Sequence, residues 1–226
     1  MVRVGVLLSG CGVYDGAEIH ESVLTLLALE RAGVEVVCMA PDIDQRHVID
    51  HQTGDPAPET RNVRVESARI ARGPVRDVAE VGADELDALV LPGGFGAAKN
   101  LCSFAVDGAD SVVDPGVARL MGAMLDAGKP QAVACIAPAV MATVVRDRGE
   151  SVELTIGNEP GAIAALEAMG VRHVTCDVRS VHVDRERRVV STPAYMLAAN
   201  VCEAADGIEA MVRELLALVG ADARTR

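Results

Sequence analysis

The sequence predicts an α/β fold with a mostly parallel central sheet, and three observations carry the prediction. Short apolar runs rich in β-branched residues, "VRVGVLLS" (2–9), "VEVVCMAP" (34–41), "LDALVLP" (86–92) and "QAVACIAP" (131–138), lack the polar alternation of a half-exposed strand. Segments with helical periodicity stand between them, which is the β-α-β order of parallel crossovers. With 226 residues and 50% hydrophobic content, the chain is long enough to bury a sizeable core, and residues 1–226 are read as one domain.

Taken in order, the first strand gives way to "AEIHESVLTLLALERAG", an amphipathic helix closed by Gly33, and then to the second strand. Residues 42–62 are polar and rich in Pro, Asp and Gly, and are expected to form an excursion with a short hairpin, while "VRVESARIARG" fits helix or strand. The third strand runs into the glycine-rich "PGGFG", residues 111–130 hold a helix, and the fourth strand stops at Cys135. Beyond it, "PGAIAALEAMG" reads as a helix, "VRHVTC" as a strand, "SVHVDRERRVVSTP" as a hairpin turning near Asp184–Arg187, and residues 195–220 as a long terminal helix. The tail "ADARTR" is expected to fray.

Composition excludes several classes of function. The net charge of −12 and the absence of Trp, with only two Phe and two Tyr, argue against nucleic acid, because a phosphate backbone is repelled and base-stacking side chains are missing. Six cysteines without CxxC spacing read as reduced thiols. No apolar run is long enough for a signal segment or a membrane span, so a cytoplasmic setting without membrane association is expected.

The site signals sit where strands end. In "VACIAPAV" a buried strand stops on Cys135 and turns into Ile136-Ala137-Pro138, the context of a nucleophile elbow, with Pro138 suited to a first helical turn and a helix N-terminus that should lower the thiol pKa. A buried core cysteine competes with that reading. Gly93 and Gly94, after the third strand, let backbone amides approach a ligand, so that Gly94 and Ile136 form an oxyanion hole; an ordinary Pro-Gly-Gly turn is the alternative.

"SGCGVYDGAEIHE", "LPGGFGAAKNL", "CIAPA" and "TPAYML" together resemble the ElbB subfamily of the ThiJ/PfpI superfamily, over nearly the whole chain. The resemblance implies a flavodoxin-like three-layer sandwich of the class I glutamine amidotransferase type. It also implies a homodimer, and an elbow thiol at Cys135 beside a first-helix carboxylate, which falls on Glu21. Weak glyoxalase activity and an association with isoprenoid biosynthesis come with the same resemblance. Glu18, three residues earlier on nearly the same helical face, is the fallback. The chain departs from amidotransferases and PfpI-like proteases in having Ile136 where a histidine would follow the nucleophile. His173 and His182 fall in a strand and a hairpin, so proteolysis and glutamine hydrolysis are not expected.

A Cys135–Glu21 pair suits aldehydes. The thiol adds to glyoxal, Glu21 shuttles a proton between the carbons, and hydrolysis of the thioester releases glycolate, with no cofactor and no metal. A small polar aldehyde is the expected substrate. Cys11 is a possible accessory thiol, and His20 is expected to be a surface residue. Three other readings compete. In the strongest, Cys135 serves a redox-responsive or metabolite-binding regulator in which catalysis is incidental. The glycines at 10, 12 and 16, with a second strand ending near Asp42, imitate a dinucleotide-binding turn, although Asp15 would repel a pyrophosphate. His173 with Cys176 makes only a weak metal constellation.

Overall fold

In the computed structural model, which describes residues 1–223 and side chains to residue 220, seven strands form one sheet in the order β3-β2-β1-β4-β5-β9-β8. Strands β1 (Arg3–Leu7), β2 (Glu35–Ala40), β3 (Arg76–Asp77), β4 (Ala88–Leu91), β5 (Gln131–Ala134) and β9 (Val189–Thr192) run parallel, and only β8 (His182–Asp184) is antiparallel, paired to β9. With the two-residue edge strand β3 set aside, the order β2-β1-β4-β5-β9 is flavodoxin-like, and β1 stands at the point where the connections reverse direction.

Side-chain alternation divides the core into two layers. Val4, Val6, Ala88, Val90, Ala132 and Ala134 face α1 (Ile19–Arg31), α2 (Val63–Ala71) and the terminal helix, α7 (Val201–Ala223). Leu7, Leu89, Leu91 and Val133 face α4 (Pro115–Asp126), α5 (Pro138–Asp147) and α6 (Pro160–Ala168). Both faces are covered, which is why these strands are apolar throughout rather than alternating.

Several elements resolve what the sequence left open. Asn62 caps the amide of Val65 and starts α2 as a helix, and the excursion before it is a hairpin with bridges Asp44–Asn62 and Ile49–Pro56. The two-residue β3 shifts "LDALVLP" to fourth place in the chain. Within "VRHVTC" only Arg172–His173 is strand, β7, paired to β6 (Glu153–Leu154) outside the main sheet. The terminal helix starts at Val201 rather than 195, because Ala194 takes a positive φ of 44° and 194–196 form a single tight turn. Residues 221–223 continue α7, so that half of the tail does not fray, and 224–226 lie outside the described residues.

Candidate functional site

Four chain segments meet above the carboxyl ends of β1, β4, β5 and β9, the edge at which ligands bind in open α/β sheets. Cys135, one residue past β5, has φ of 59°, a conformation that L residues rarely adopt, and it turns the chain into α5 within two residues. Cys135 is a buried residue, 7% exposed, that also forms part of a cleft wall.

Glu21 sits in the first turn of α1, fully buried, with its carboxyl beside Cys135. Gly93 donates its N–H to Oε2 at 2.9 Å, and Tyr195 donates its N–H to Oε1 at 3.1 Å. Burial is the chief cause that pushes the Glu21 carboxyl from 4.5 to about 7, with Glu18 adding to it while the two amides and Cys135 pull back. Glu18, the fallback carboxylate, caps α1 by accepting from the Glu21 N–H at 2.7 Å and lines the cleft from its rim.

The backbone amides of Gly94 and Ile136 face the Cys135 sulfur and favour its thiolate. Burial, and then the Glu21 carboxylate, act the other way and prevail, so the thiol is held well above the usual cysteine range. The expectation of a pKa lowered by the following helix is therefore corrected: desolvation outweighs the helix terminus. Gly93 is what lets the pair meet. A Cβ there would lie 2.4 Å from the Cys135 Cβ and 2.6 Å from Glu21 Oε2, so any side chain would wedge the two apart.

Cys11 is half-buried and packs against the core near Glu66 and Arg69 of α2; it is not among the residues that line the cleft. The glycines around it serve packing. A Cβ on Gly16 would lie 2.2 Å from the Cys11 nitrogen, and Asn100 donates to the carbonyls of Ser9 and Asp15, both at 2.9 Å, clamping this loop to the one after β4. Asp15 is buried and accepts from the Ile49 N–H at 2.8 Å, so the place where a pyrophosphate would lie is filled by the chain itself. His20 is exposed, as expected, yet its Nδ1 is 2.7 Å from the Tyr195 hydroxyl. His182 bonds Glu153 at 2.8 Å, and the two-residue strand that carries His173 lies outside the main sheet.

The cleft holds about 500 Å³. Its walls are mostly apolar, with Phe95, Phe104, Ile136, Ala162 and Met196, and they also carry Tyr195 and the acidic residues Glu18 and Glu159. The small polar aldehyde expected from the sequence would meet mostly apolar walls here. Aromatics are few, but three of the four in the chain line this cleft. Two contributors escaped the sequence reading: Tyr195, within the quoted "TPAYML", and Asn100, within "LPGGFGAAKNL". Their roles lie in a backbone amide and a long-range clamp, which residue type alone does not reveal.

Comparison with known proteins accords with this geometry. No family model matches the chain. The human protein named glutamine amidotransferase-like class 1 domain-containing protein 3, mitochondrial, is 48% identical over 228 residues, covering 96% of this chain and 84% of the relative. A crystal structure of an isoprenoid biosynthesis protein with an amidotransferase-like domain from Ehrlichia chaffeensis is 36% identical, covers 97% of this chain and 100% of its own, and superposes with a TM-score of 0.90. The chain belongs to the ElbB family of amidotransferase-like ThiJ/PfpI proteins. Drosophila melanogaster DJ-1beta, 18% identical with a TM-score of 0.56 over 97% of this chain and 96% of its own, shares the fold of the ElbB proteins.

The expected cytoplasmic location is overturned. The human relative and the ES1 protein homolog of Rattus norvegicus, 46% identical over 96% of this chain and 84% of its own length, are both named as mitochondrial. Free thiols limit the redox setting but do not choose between compartments. Among the described residues, no helix is long and apolar enough to cross a membrane.

Proposed function

We propose that this ElbB-family protein is a cofactor-free glyoxalase-type enzyme that converts glyoxal to glycolate through a hemithioacetal on Cys135, with Glu21 as the acid and base. The observation that carries the proposal is the buried Glu21 carboxyl, held by the Gly93 and Tyr195 amides beside Cys135, which lines an open cleft.

The sulfur attacks one aldehyde carbon as the thiol proton passes to the Glu21 carboxylate. The resulting oxyanion is held by the Gly94 and Ile136 amides and takes the proton back from Glu21. Glu21 then removes the hydrogen on the thiohemiacetal carbon and returns it to the neighbouring carbon through an enediol. The product is a thioester one carbon removed from a hydroxyl. Water, deprotonated by Glu21, cleaves the thioester, releasing glycolate and restoring the thiol. The sum is glyoxal plus water giving glycolic acid, an internal redox exchange that needs no outside oxidant. The high thiol pKa makes the carboxylate form of Glu21 indispensable, since without it the sulfur keeps its proton. A homodimer is part of the same proposal.

Steady-state conversion of glyoxal, without glutathione or added metal, tests it. Wild type should produce glycolate, and Cys135→Ala and Glu21→Gln should each fall to background. Glyoxal loss that survives in Cys135→Ala refutes the mechanism. The same result would favour the rival role as a redox-responsive or metabolite-binding regulator.

A further inference from the structure

A second depression lies beside the Cys135 cleft and shares only Phe95 with it. It holds about 430 Å³, within the range of sites for small organic ligands, and is lined by Tyr14, Ile49, Gly54, Phe95 and Lys99. Two of the four aromatic rings in the chain therefore stand on it, and both reach solvent, Tyr14 being 42% and Phe95 46% exposed.

The walls are braced by the rest of the fold. The Tyr14 ring packs at a tilt on His51, with centroids 4.9 Å apart, and the Tyr14 N–H donates to His51 Nε2 at 3.3 Å. His51 Nδ1 bonds the Ile49 carbonyl at 3.0 Å, and the Ile49 N–H donates to the buried Asp15 carboxylate at 2.8 Å. The Phe95 N–H donates to the Val13 carbonyl, also at 2.8 Å. Walls fixed in advance leave little ordering entropy to be lost when a ligand binds.

Lys99 supplies the one charge among the lining residues. Its Nζ donates to the Tyr14 carbonyl at 2.9 Å and stands 5.3 Å from the centre of the Phe95 ring. Among the described residues no carboxylate comes within ion-pair reach of it; Asp15, whose charge acts on it, is buried and does not line the depression. Burial holds the amine below the usual lysine range, so the charged form lacks the stabilisation that a counterion would give. In a chain with 33 acidic and 21 basic residues, a cation left without an acidic partner is a place where an anion gains a charge-assisted hydrogen bond. A single ammonium against a net charge of −12 favours one negative charge over the two of a phosphate ester.

We infer that this depression is a second ligand site, for a planar aromatic monocarboxylate, with the carboxylate on Lys99 and the flat apolar body against the Tyr14 and Phe95 rings. Exposed aromatic rings beside one cation suit a flat anion because stacking and the ion pair act together. The site stands apart from the aldehyde chemistry proposed above and does not depend on it.

Two measurements test it. The first is the affinity for 2-naphthoate against its neutral isostere 2-naphthamide, read by fluorescence anisotropy, which the absence of Trp keeps free of strong protein emission. The acid should bind about tenfold or more tighter than the amide, with an affinity that falls as salt is added. Lys99→Met should erase the preference, and Phe104→Ala, which alters a wall of the Cys135 cleft alone, should leave it intact. The second uses wild type only. Lys99 and Lys129 are the two lysines of the chain, so acetylation by acetic anhydride, followed by mass spectrometry, compares them in one sample. Saturating 2-naphthoate should slow acetylation of Lys99 severalfold and leave Lys129, whose amine is held by the Ala83 and Leu86 carbonyls, unchanged.

Preference for the acid that depends on Lys99, with protection confined to Lys99, supports the inference. Equal affinity for acid and amide, or no binding of either, overturns it. So does a preference that survives in Lys99→Met or is lost in Phe104→Ala, since the carboxylate would then sit elsewhere. Acetylation of Lys99 at the same rate with and without 2-naphthoate overturns it independently of any variant.

Discussion

Replacing Glu21 by Gln should change how the stability of the fold depends on pH, and burial sets the size of the change. The carboxyl is raised from 4.5 to about 7 in the folded protein, so across that window the folded state holds a proton that the unfolded chain has released. Each unit of difference corresponds to about 1.4 kcal/mol. The contribution of Glu21 is therefore fully present below pH 4.5, and about 3 kcal/mol of it is lost as the pH rises through about 7. Glu21→Gln does not titrate and lacks this decline. Its amide NH2 must face the N–H of either Gly93 or Tyr195, a mismatch that costs about 1–3 kcal/mol at every pH. The offset between the two proteins is thus uninformative, and the slope carries the test. Urea unfolding of both proteins, followed by circular dichroism from pH 4.5 to about 8, stays below the range in which cysteines titrate. Variant stability minus wild-type stability should climb by about 3 kcal/mol across the window. A flat difference would mean that Glu21 ionises like an exposed carboxylate, and the buried proton-transfer pair would have to be abandoned.

The same titration should appear in catalysis: kcat/KM for an aldehyde is expected to rise with pH through about 7 as Glu21 becomes the base, and a profile level across pH 6–8 would count against Glu21. Gly93→Ala forces a methyl into contact with Cys135 and Glu21, and should abolish turnover and cost about 1–3 kcal/mol of stability, both read on one purified sample. Tyr195→Phe removes the hydroxyl that bonds His20 but keeps the backbone N–H to Glu21; the pH inflection should stay in place, and a shift of more than half a unit would show that the hydroxyl also sets the carboxyl.

The strands were legible because burial on both faces writes itself as uninterrupted apolar runs, and "LALV" and "QAVA" carry that mark plainly. Cys135 and Gly94 were legible for a related reason, since a strand that stops on a small or special residue must turn there. Glu21 was not: a glutamate in a first helical turn is ordinary, and only the family resemblance singled it out before the Gly93 and Tyr195 amides gave it a physical setting. The start of α7 was misplaced because "YMLAAN" has helical composition, and the positive φ at Ala194 that breaks the helix has no sequence marker comparable to Gly. The apolar lining of the cleft was not legible because composition counts aromatics without locating them.

The two amides that hold the Glu21 carboxylate come from residues 72 and 174 positions further along the chain. Local folding of α1 therefore cannot complete the carboxylate's setting, and neither can pairing of β1, β2 and β4. The carboxylate acquires its second donor only when β9 has docked on β5 and the turn at 194–196 has formed. A chain still emerging from the ribosome carries Cys135 as a plain thiol long before the carboxylate beside it is complete. Under the mechanism proposed above, activity and completed topology would arrive in one event, and a turnover assay would read the closing of the sheet's last parallel pair.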